Sequence, residues 1–315
     1  MSGRGNNREL EKAPDRKEKS KLSCLREKLG ERVITPFLLG VLENLTLILP
    51  PPAIKRLAFI SGNLFYRFSD LQLAKTQWIE VMGEKEEKVV NRHLQLVFHH
   101  LALSVMELML LKRKGERVLE YLVEEVEGEE FLKEALSRSQ GVILLTAHLG
   151  NWEILGAWLG SRGYPVAALV NSPSVPAIRR FMEELRSAMK IELVEYTNLL
   201  LARSLLRQGK ILGILADQRV PGGVVCDFLG REAPSSATPA TLHLRLGSPI
   251  IPAFVIRKGE EMKHRIVFLP PVEWSPSSSP KENIARGTAC CNQVLGNFIL
   301  CYPEQWNWFH HRWDE

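Results

Sequence analysis

Paired cysteines are the first thing this sequence lacks. Its five cysteines, Cys24, Cys226, Cys290, Cys291 and Cys301, are odd in number, scattered, and never spaced C-x-x-C. Neither a disulfide framework nor a zinc knuckle is indicated, and a reduced compartment is expected. No G-x-S-x-G elbow occurs, which argues against a serine nucleophile and a covalent intermediate. No two histidines stand four apart on one helix face, so zinc-protease chemistry is not expected and no metal is assigned. The basic residues are spread along the chain without an aromatic-interleaved basic strand or finger spacing, so nucleic acid is not an expected partner. A clean apolar run of about 20 residues is also missing. The nearest approach, residues 33–54, is interrupted by Glu43 and ended by Pro50, Pro51 and Pro52. It reads as a helix lying in a membrane's headgroup region, with an ordinary buried helix as the alternative. Residues 1–32 are polar and mixed in charge, without the apolar stretch of a secretory signal, and are expected to form a mobile tail.

What is present suits a globular protein. The 315 residues are 45% hydrophobic and 24% charged, enough for a substantial core in one large domain or two small ones. The net charge of +5 and pI near 8.9 suit anionic partners such as lipid headgroups or an acidic carrier protein. From residue 54 to 114 apolar residues recur at helical spacing. One stripe runs through Ile54, Leu57, Ile60 and Leu64, and another through Val90, Leu94, Val97, Leu101, Val105 and Leu108. Residues 93–111 are apolar nearly all round, as in a helix inserted into the interior.

After an acidic linker near residues 124–130 the pattern changes. Short apolar runs at 141–147, 166–170, 211–216, 250–256 and 265–269 read as strands. Between them fall helical stretches at 151–163, 176–189, 198–208 and 238–246, with Asn151 and Gly163 fitting cap positions of the first. This rhythm predicts an α/β fold with a mainly parallel central sheet flanked by helices. The Ser- and Pro-rich residues 275–280 read as a loop.

The sharpest motif is His148-Leu-Gly-Asn-Trp-Glu153, directly after the strand that ends at Ala147. Reactive groups favour the carboxyl ends of parallel strands, where the chain leaves the sheet and the next helix offers free N–H groups. With His148 in the turn before the helix, Glu153 is expected to reach back to the imidazole, fix its tautomer and leave the other nitrogen free to take a proton. Gly150 and Asn151 are candidates for backbone N–H donors to a developing oxyanion, with Arg186 as an alternative cation. Asp217-Gln218-Arg219 also follows a buried strand and so reaches the same edge of the sheet. Trp306, Trp308 and Trp313 suit either a membrane interface or core packing. His310 and His311 are expected at the surface or in packing.

These blocks resemble the bacterial lipid A biosynthesis acyltransferase family, the lauroyl and myristoyl transferases. His148 to Glu153 looks like the H-x4-E signature, Asp217-Gln218 like a second acidic block, and Phe228-Leu-Gly230 with Ala237-Thr238-Pro239-Ala240 like a third. Tyr302-Pro-Glu-Gln-Trp306, with Trp308 and His310-His-Arg-Trp313, resembles the C-terminal P-E-Q-x-x-W-x-H-R-R signature. By that resemblance the fold is glycerol-phosphate-acyltransferase-like, with an N-terminal membrane-associated helix and an acyltransferase domain over residues 55–315. His148 is implied as the base and Glu153 as its partner, with Arg186, Asp217, Gln218, Arg219, Gly150 and Asn151 around the substrates. Arg219 stands where several members carry an acid. The implied donor is an acyl carrier protein thioester, or acyl-CoA, with no cofactor. The implied acceptor is a hydroxyl of a lipid A precursor or related glycolipid, at the anionic cytoplasmic face of the inner membrane. Alternatives are an acyltransferase for another membrane lipid such as a phosphatidylinositol mannoside, a non-catalytic lipid-binding protein of the same fold, and an esterase using the same dyad with water.

Overall fold

The computed structural model describes residues 35–313; the tail expected at 1–32 lies outside the described residues. The chain enters through helices α1 (Thr35–Ile48), α2 (Pro51–Phe68), α3 (Gln72–Met82), α4 (Glu87–Lys114) and α5 (Arg117–Leu122). The expected single helix over 33–54 is thus two. Pro50, Pro51 and Pro52 stop the first, and Pro51 and Pro52 open the second, where the missing N–H has no intrahelical role.

The remainder alternates. It runs β1 (Val123–Glu127), α6 (Glu129–Ser137), β2 (Val142–Thr146), α7 (Trp152–Ser161), β3 (Val166–Val170), α8 (Pro176–Ala188), β4 (Glu192–Glu195), α9 (Leu199–Arg207) and β5 (Ile211–Leu215). A hairpin, β6 (Val224–Phe228) with β7 (Arg231–Ser235), precedes α10 (Thr238–Leu246), β8 (Ile250–Arg257), β9 (His264–Phe268) and α11 (Pro280–Cys301), and a 3-10 turn, Pro303–Gln305, follows. Among the described residues the main sheet has seven strands in the order β1-β9-β8-β2-β5-β3-β4, parallel throughout except between β8 and β9. The expected mainly parallel α/β architecture is the one observed. The expected acidic linker contains β1, an edge strand in which the adjacent Glu124 and Glu125 are exposed.

Strand β2 sits centrally and every residue of it is buried. Because successive side chains point to opposite faces, Val142 and Leu144 join one core with Leu103, Met106 and Leu110 of α4. Ile143 and Leu145 join the other, with Leu205 and Leu206 of α9, Leu295 and Ile299 of α11, and the C-terminal tryptophans. Trp306 and Trp308 are fully buried and Trp313 nearly so, so of the two readings open for them packing is the one realised.

Helix α4 is long and apolar enough to cross a membrane, yet its apolar side lies in the core, where it also carries a buried ion network. Glu107 receives two hydrogen bonds from Arg257 and one from Asn151 Nδ2 at 2.9 Å, with His264 Nε2 3.0 Å away. Burial opposes the Glu107 charge, but Arg257 and His264 outweigh it and bring its pKa down to about 2. The stripe expected on α2 is only partly internal. Ile54 is buried, but Ile60 is 67% exposed and Leu64 56%; Ala58 and Gly62 face inward instead, because α4 crosses α2 on their side. With Ile48, Phe65 and Phe68 they leave an apolar outer surface on α1 and α2.

Candidate active site

Strand register builds the site. Thr146 of β2 pairs with Leu215 of β5, so the residues two places further on, His148 and Asp217, emerge level with each other at the carboxyl edge. The imidazole Nδ1 of His148 lies 2.9 Å from Asp217 Oδ1, and the backbone N–H of His148 donates to Oδ2 at 3.0 Å. Trp306 Nε1–H donates to the same Oδ2 at 2.8 Å. Asp217 is completely buried. Burial alone pushes its carboxyl up, but the neighbouring His148, with His310 and the Trp306 donor, hold it well below the usual carboxylate range. The imidazole itself is partly exposed and is flanked edge-on by Trp152, ring centroids 4.8 Å apart.

Glu153 does not reach His148, contrary to the expectation from spacing. It lies in the first turn of α7, facing α8, and binds Arg186 bidentately: Nε–H to Oε2 at 3.0 Å and Nη2–H to Oε1 at 2.6 Å. The Trp152 indole donates to Oε1 as well, at 3.1 Å. Burial works against the Arg186 charge, but the paired carboxylate outweighs it and the guanidinium's pKa is raised. The carboxylate on the imidazole is therefore Asp217, and Glu153 is the anchor of Arg186.

One further expectation is corrected. The Gly150 N–H is not free for an oxyanion, because it donates to the Gln305 carbonyl at 2.9 Å. Gly150 has another role: its φ is +61°, and a Cβ there would stand 1.9 Å from the Val255 carbonyl oxygen, so only glycine fits. Asn151 holds the expected cap position before α7 but makes no side-chain capping bond, because its amide points inward to Glu107.

A cavity of about 380 Å³ opens beside the imidazole. His148, Trp152, Arg186, Gln218 and Arg219 line one part of it, with Asn171, Tyr196 and Ser236 adding polar groups. Leu169, Val170, Leu215, Val220 and Pro221 supply an apolar wall. The structure thus gathers His148, Arg186, Gln218 and Arg219, keeps Asp217 directly behind His148, and leaves Gly150 and Asn151 outside. Trp152, Asn171, Tyr196 and Ser236 were not singled out by sequence. Asn171 follows β3, a strand end of the kind that drew notice to His148, whereas Tyr196 and Ser236 carried no comparable signal. His310 packs at a right angle against the Trp306 ring, while His311 is exposed.

The arrangement suits proton removal from a weakly acidic hydroxyl. One imidazole nitrogen is tied to a buried carboxylate and the other side of the ring meets a partly apolar cavity with a fixed cation nearby.

A family model described as bacterial lipid A biosynthesis acyltransferase matches residues 27–315. The lipid A biosynthesis lauroyltransferase of Escherichia coli (strain K12) is 24% identical over 295 residues, covering 87% of this chain and 89% of that protein. A phosphatidylinositol mannoside acyltransferase of Mycolicibacterium smegmatis is 24% identical over 190 residues, 58% of this chain; the match spans only 60% of that relative's length. Among solved structures, the 1-acyl-sn-glycerophosphate acyltransferase of Thermotoga maritima aligns at 15% identity with a TM-score of 0.37, covering 78% of this chain and 96% of that one.

Proposed function

Because the chain belongs to the bacterial lipid A biosynthesis acyltransferase family, we propose that it moves a fatty acyl group from an acyl carrier protein thioester onto a hydroxyl of a lipid A precursor. The observation that carries this reading is the His148–Asp217 pair at the mouth of a half-apolar cavity. With Nδ1–H held by Asp217, Nε2 is the nitrogen that takes the acceptor's proton as the oxygen attacks the thioester carbonyl. Such general-base help contributes about 10²- to 10⁴-fold. Asp217 keeps the ring in the productive tautomer and stabilises the imidazolium formed. The tetrahedral oxyanion is stabilised by Arg186, whose orientation Glu153 fixes. The intermediate then collapses: the C–S bond breaks, the imidazolium returns the proton to the thiolate, and the ester and free thiol leave. The absence of a G-x-S-x-G elbow supports direct transfer in a ternary complex.

Membrane association follows from the same reading. The exposed apolar residues of α1 and α2, Ile48, Ile60, Leu64, Phe65 and Phe68, suit insertion among acyl chains, and the net positive charge suits an anionic leaflet at the cytoplasmic face of the inner membrane. A second acceptor, a mannosylated phosphatidylinositol, is favoured by the similarity to the mycobacterial enzyme. Purified protein supplied with acyl carrier protein thioester and either glycolipid discriminates them. Mass spectrometry is expected to find the lipid A precursor heavier by one acyl group, and the product lowered by about 10²- to 10⁴-fold with His148→Ala. Acylation of the mannoside alone selects the second acceptor, and free fatty acid without lipid product refutes both.

A further inference from the structure

The C-terminal block Tyr302-Pro-Glu-Gln-Trp306 takes no part in the chemistry just described, yet it contacts the turn that carries the imidazole and, through Trp306, the acid behind it. We infer that Gln305, Trp306 and Asn307 form a positioning element that sets His148 and Asp217 relative to each other, with the Trp306 indole N–H as its decisive donor.

The segment grips the histidine turn from both sides. Asn307 N–H donates to the His148 carbonyl at 3.1 Å, and the Gln305 carbonyl accepts from Gly150 N–H at 2.9 Å, with Leu149 and Trp306 forming an isolated antiparallel bridge between them. The segment has its own anchor. The Gln305 side-chain amide makes two hydrogen bonds to the backbone of Arg257, accepting at 2.8 Å and donating at 3.0 Å, and Arg257 is locked by the buried Glu107. Position therefore passes from the interior of α4 and the end of β8 through Gln305 to the turn that carries His148.

Trp306 then links the turn to the acid. Its N–H and the His148 N–H both end on Asp217 Oδ2, which turns Oδ1 toward the imidazole Nδ1. A carboxylate with only one of those donors is free to swing about its last torsion, and its charge is no longer partly held by the indole. Asp217 and Trp306 are fully buried and the imidazole is partly so, and in that environment each charge-assisted bond counts for more than at a surface. This assignment rests on the reading of His148 as the base.

The test compares Trp306→Phe with the wild type and with Trp313→Phe. Trp313 belongs to the same buried aromatic cluster and also donates an indole hydrogen bond, to the Phe228 carbonyl at 3.2 Å, but touches neither His148 nor Asp217. The charged and titratable groups facing Asp217 are His148, His310 and Arg312, and those facing His148 are Asp217, His310, Arg186 and Arg219 in the cavity. Trp306→Phe removes none of these charges and keeps an aromatic ring for His310 to pack against. Losing one hydrogen bond to a buried charge is expected to lower kcat roughly 10- to 100-fold with KM for donor and acceptor unchanged. The freed negative charge on Asp217 favours imidazolium, so the acidic limb of the kcat/KM profile moves to higher pH. Trp313→Phe keeps both kcat and the limb. A Trp306→Phe enzyme with wild-type kcat and an unmoved limb overturns the inference, as does an equal change in Trp313→Phe. Should Trp306→Phe not fold, Gln305→Met carries the test, because it removes the anchor to Arg257 while keeping size. The same loss in kcat at unchanged KM is expected, and wild-type kcat overturns the inference. If the wild type itself transfers no acyl group, it is the reading of His148 as the base that fails.

Discussion

Asp217→Asn separates the pairing seen here from the one suggested by chain spacing. The carboxylate accepts three hydrogen bonds, two on Oδ2 from His148 N–H and Trp306 Nε1–H and one on Oδ1 from the imidazole. An amide has one accepting oxygen, and the two fixed donors claim it. The amide nitrogen then faces Nδ1, which has to accept, so the ring proton moves to Nε2, the atom that must be bare to act as base. Fixing the wrong tautomer costs about 10³- to 10⁴-fold in kcat while leaving the geometry intact. Stability follows a separate pH dependence. The Asp217 carboxyl is held below its ordinary range in the fold, so its stabilising contribution is fully present above about pH 4 and is lost as the medium becomes more acid. The variant is expected to melt lower than the wild type at neutral pH, with the gap closing in acid. Steady-state transfer from the thioester, read as thiol release together with product lipid, measures the rate. The reasoning is refuted if Asp217→Asn transfers at the wild-type rate while Glu153→Gln loses activity by three or four orders of magnitude, because the imidazole's partner is then Glu153.

Other perturbations have defined outcomes. Glu153→Gln is expected to lower kcat/KM roughly 10- to 100-fold through a loosened Arg186, by the loss of one charged hydrogen-bonding partner, without moving the acidic limb of the pH profile. Gly150→Ala places a methyl group against the Val255 carbonyl in a left-handed conformation; it is expected to cost about 1–3 kcal/mol or more in denaturant melts and to displace His148, lowering kcat. Glu107→Ala leaves Arg257 buried without its anion, a loss of about 3–5 kcal/mol by chemical denaturation. His100 is partly buried, and desolvation, reinforced by Arg257, lowers its pKa from the ordinary 6.5 to about 3. Its neutral form therefore stabilises the fold above pH 6.5 and that contribution drains away as pH falls toward 3, by about 2–3 kcal/mol at pH 4.5, a slope that His100→Gln is expected to flatten. Phe65→Ser with Phe68→Ser is expected to weaken binding to anionic vesicles at least tenfold, each ring being worth about 1.5–3 kcal/mol when fully inserted, with transfer to detergent-dispersed lipid retained.

The parts of this fold that could be read in advance are those whose burial is written locally. Val142 to Thr146 and Ile211 to Leu215 are continuous apolar runs because both faces of a central parallel strand are covered, and His148 and Asp217 stand out because each directly follows one. Their partnership was not legible. It depends on β2 and β5 being neighbours in register, a contact 69 residues apart in sequence, whereas the H-x4-E spacing offered a nearer carboxylate that the turn at Gly150 directs toward α8. Edge strands β1 and β4 were missed for a different reason: Val123–Glu127 and Glu192–Glu195 are short, charged and half solvated, so they carry no apolar run. The inward face of α2 was misread because Ala58 and Gly62, small residues with weak apolar signal, are what the close approach of α4 requires.

The most direct measurement is single-turnover thiol release from an acyl carrier protein thioester, with and without glycolipid, for the wild type and His148→Ala. If His148 activates the acceptor hydroxyl in a ternary complex, release requires the glycolipid and falls by about 10²- to 10⁴-fold in the variant. Release by the wild type without acceptor, or undiminished release by His148→Ala, contradicts it.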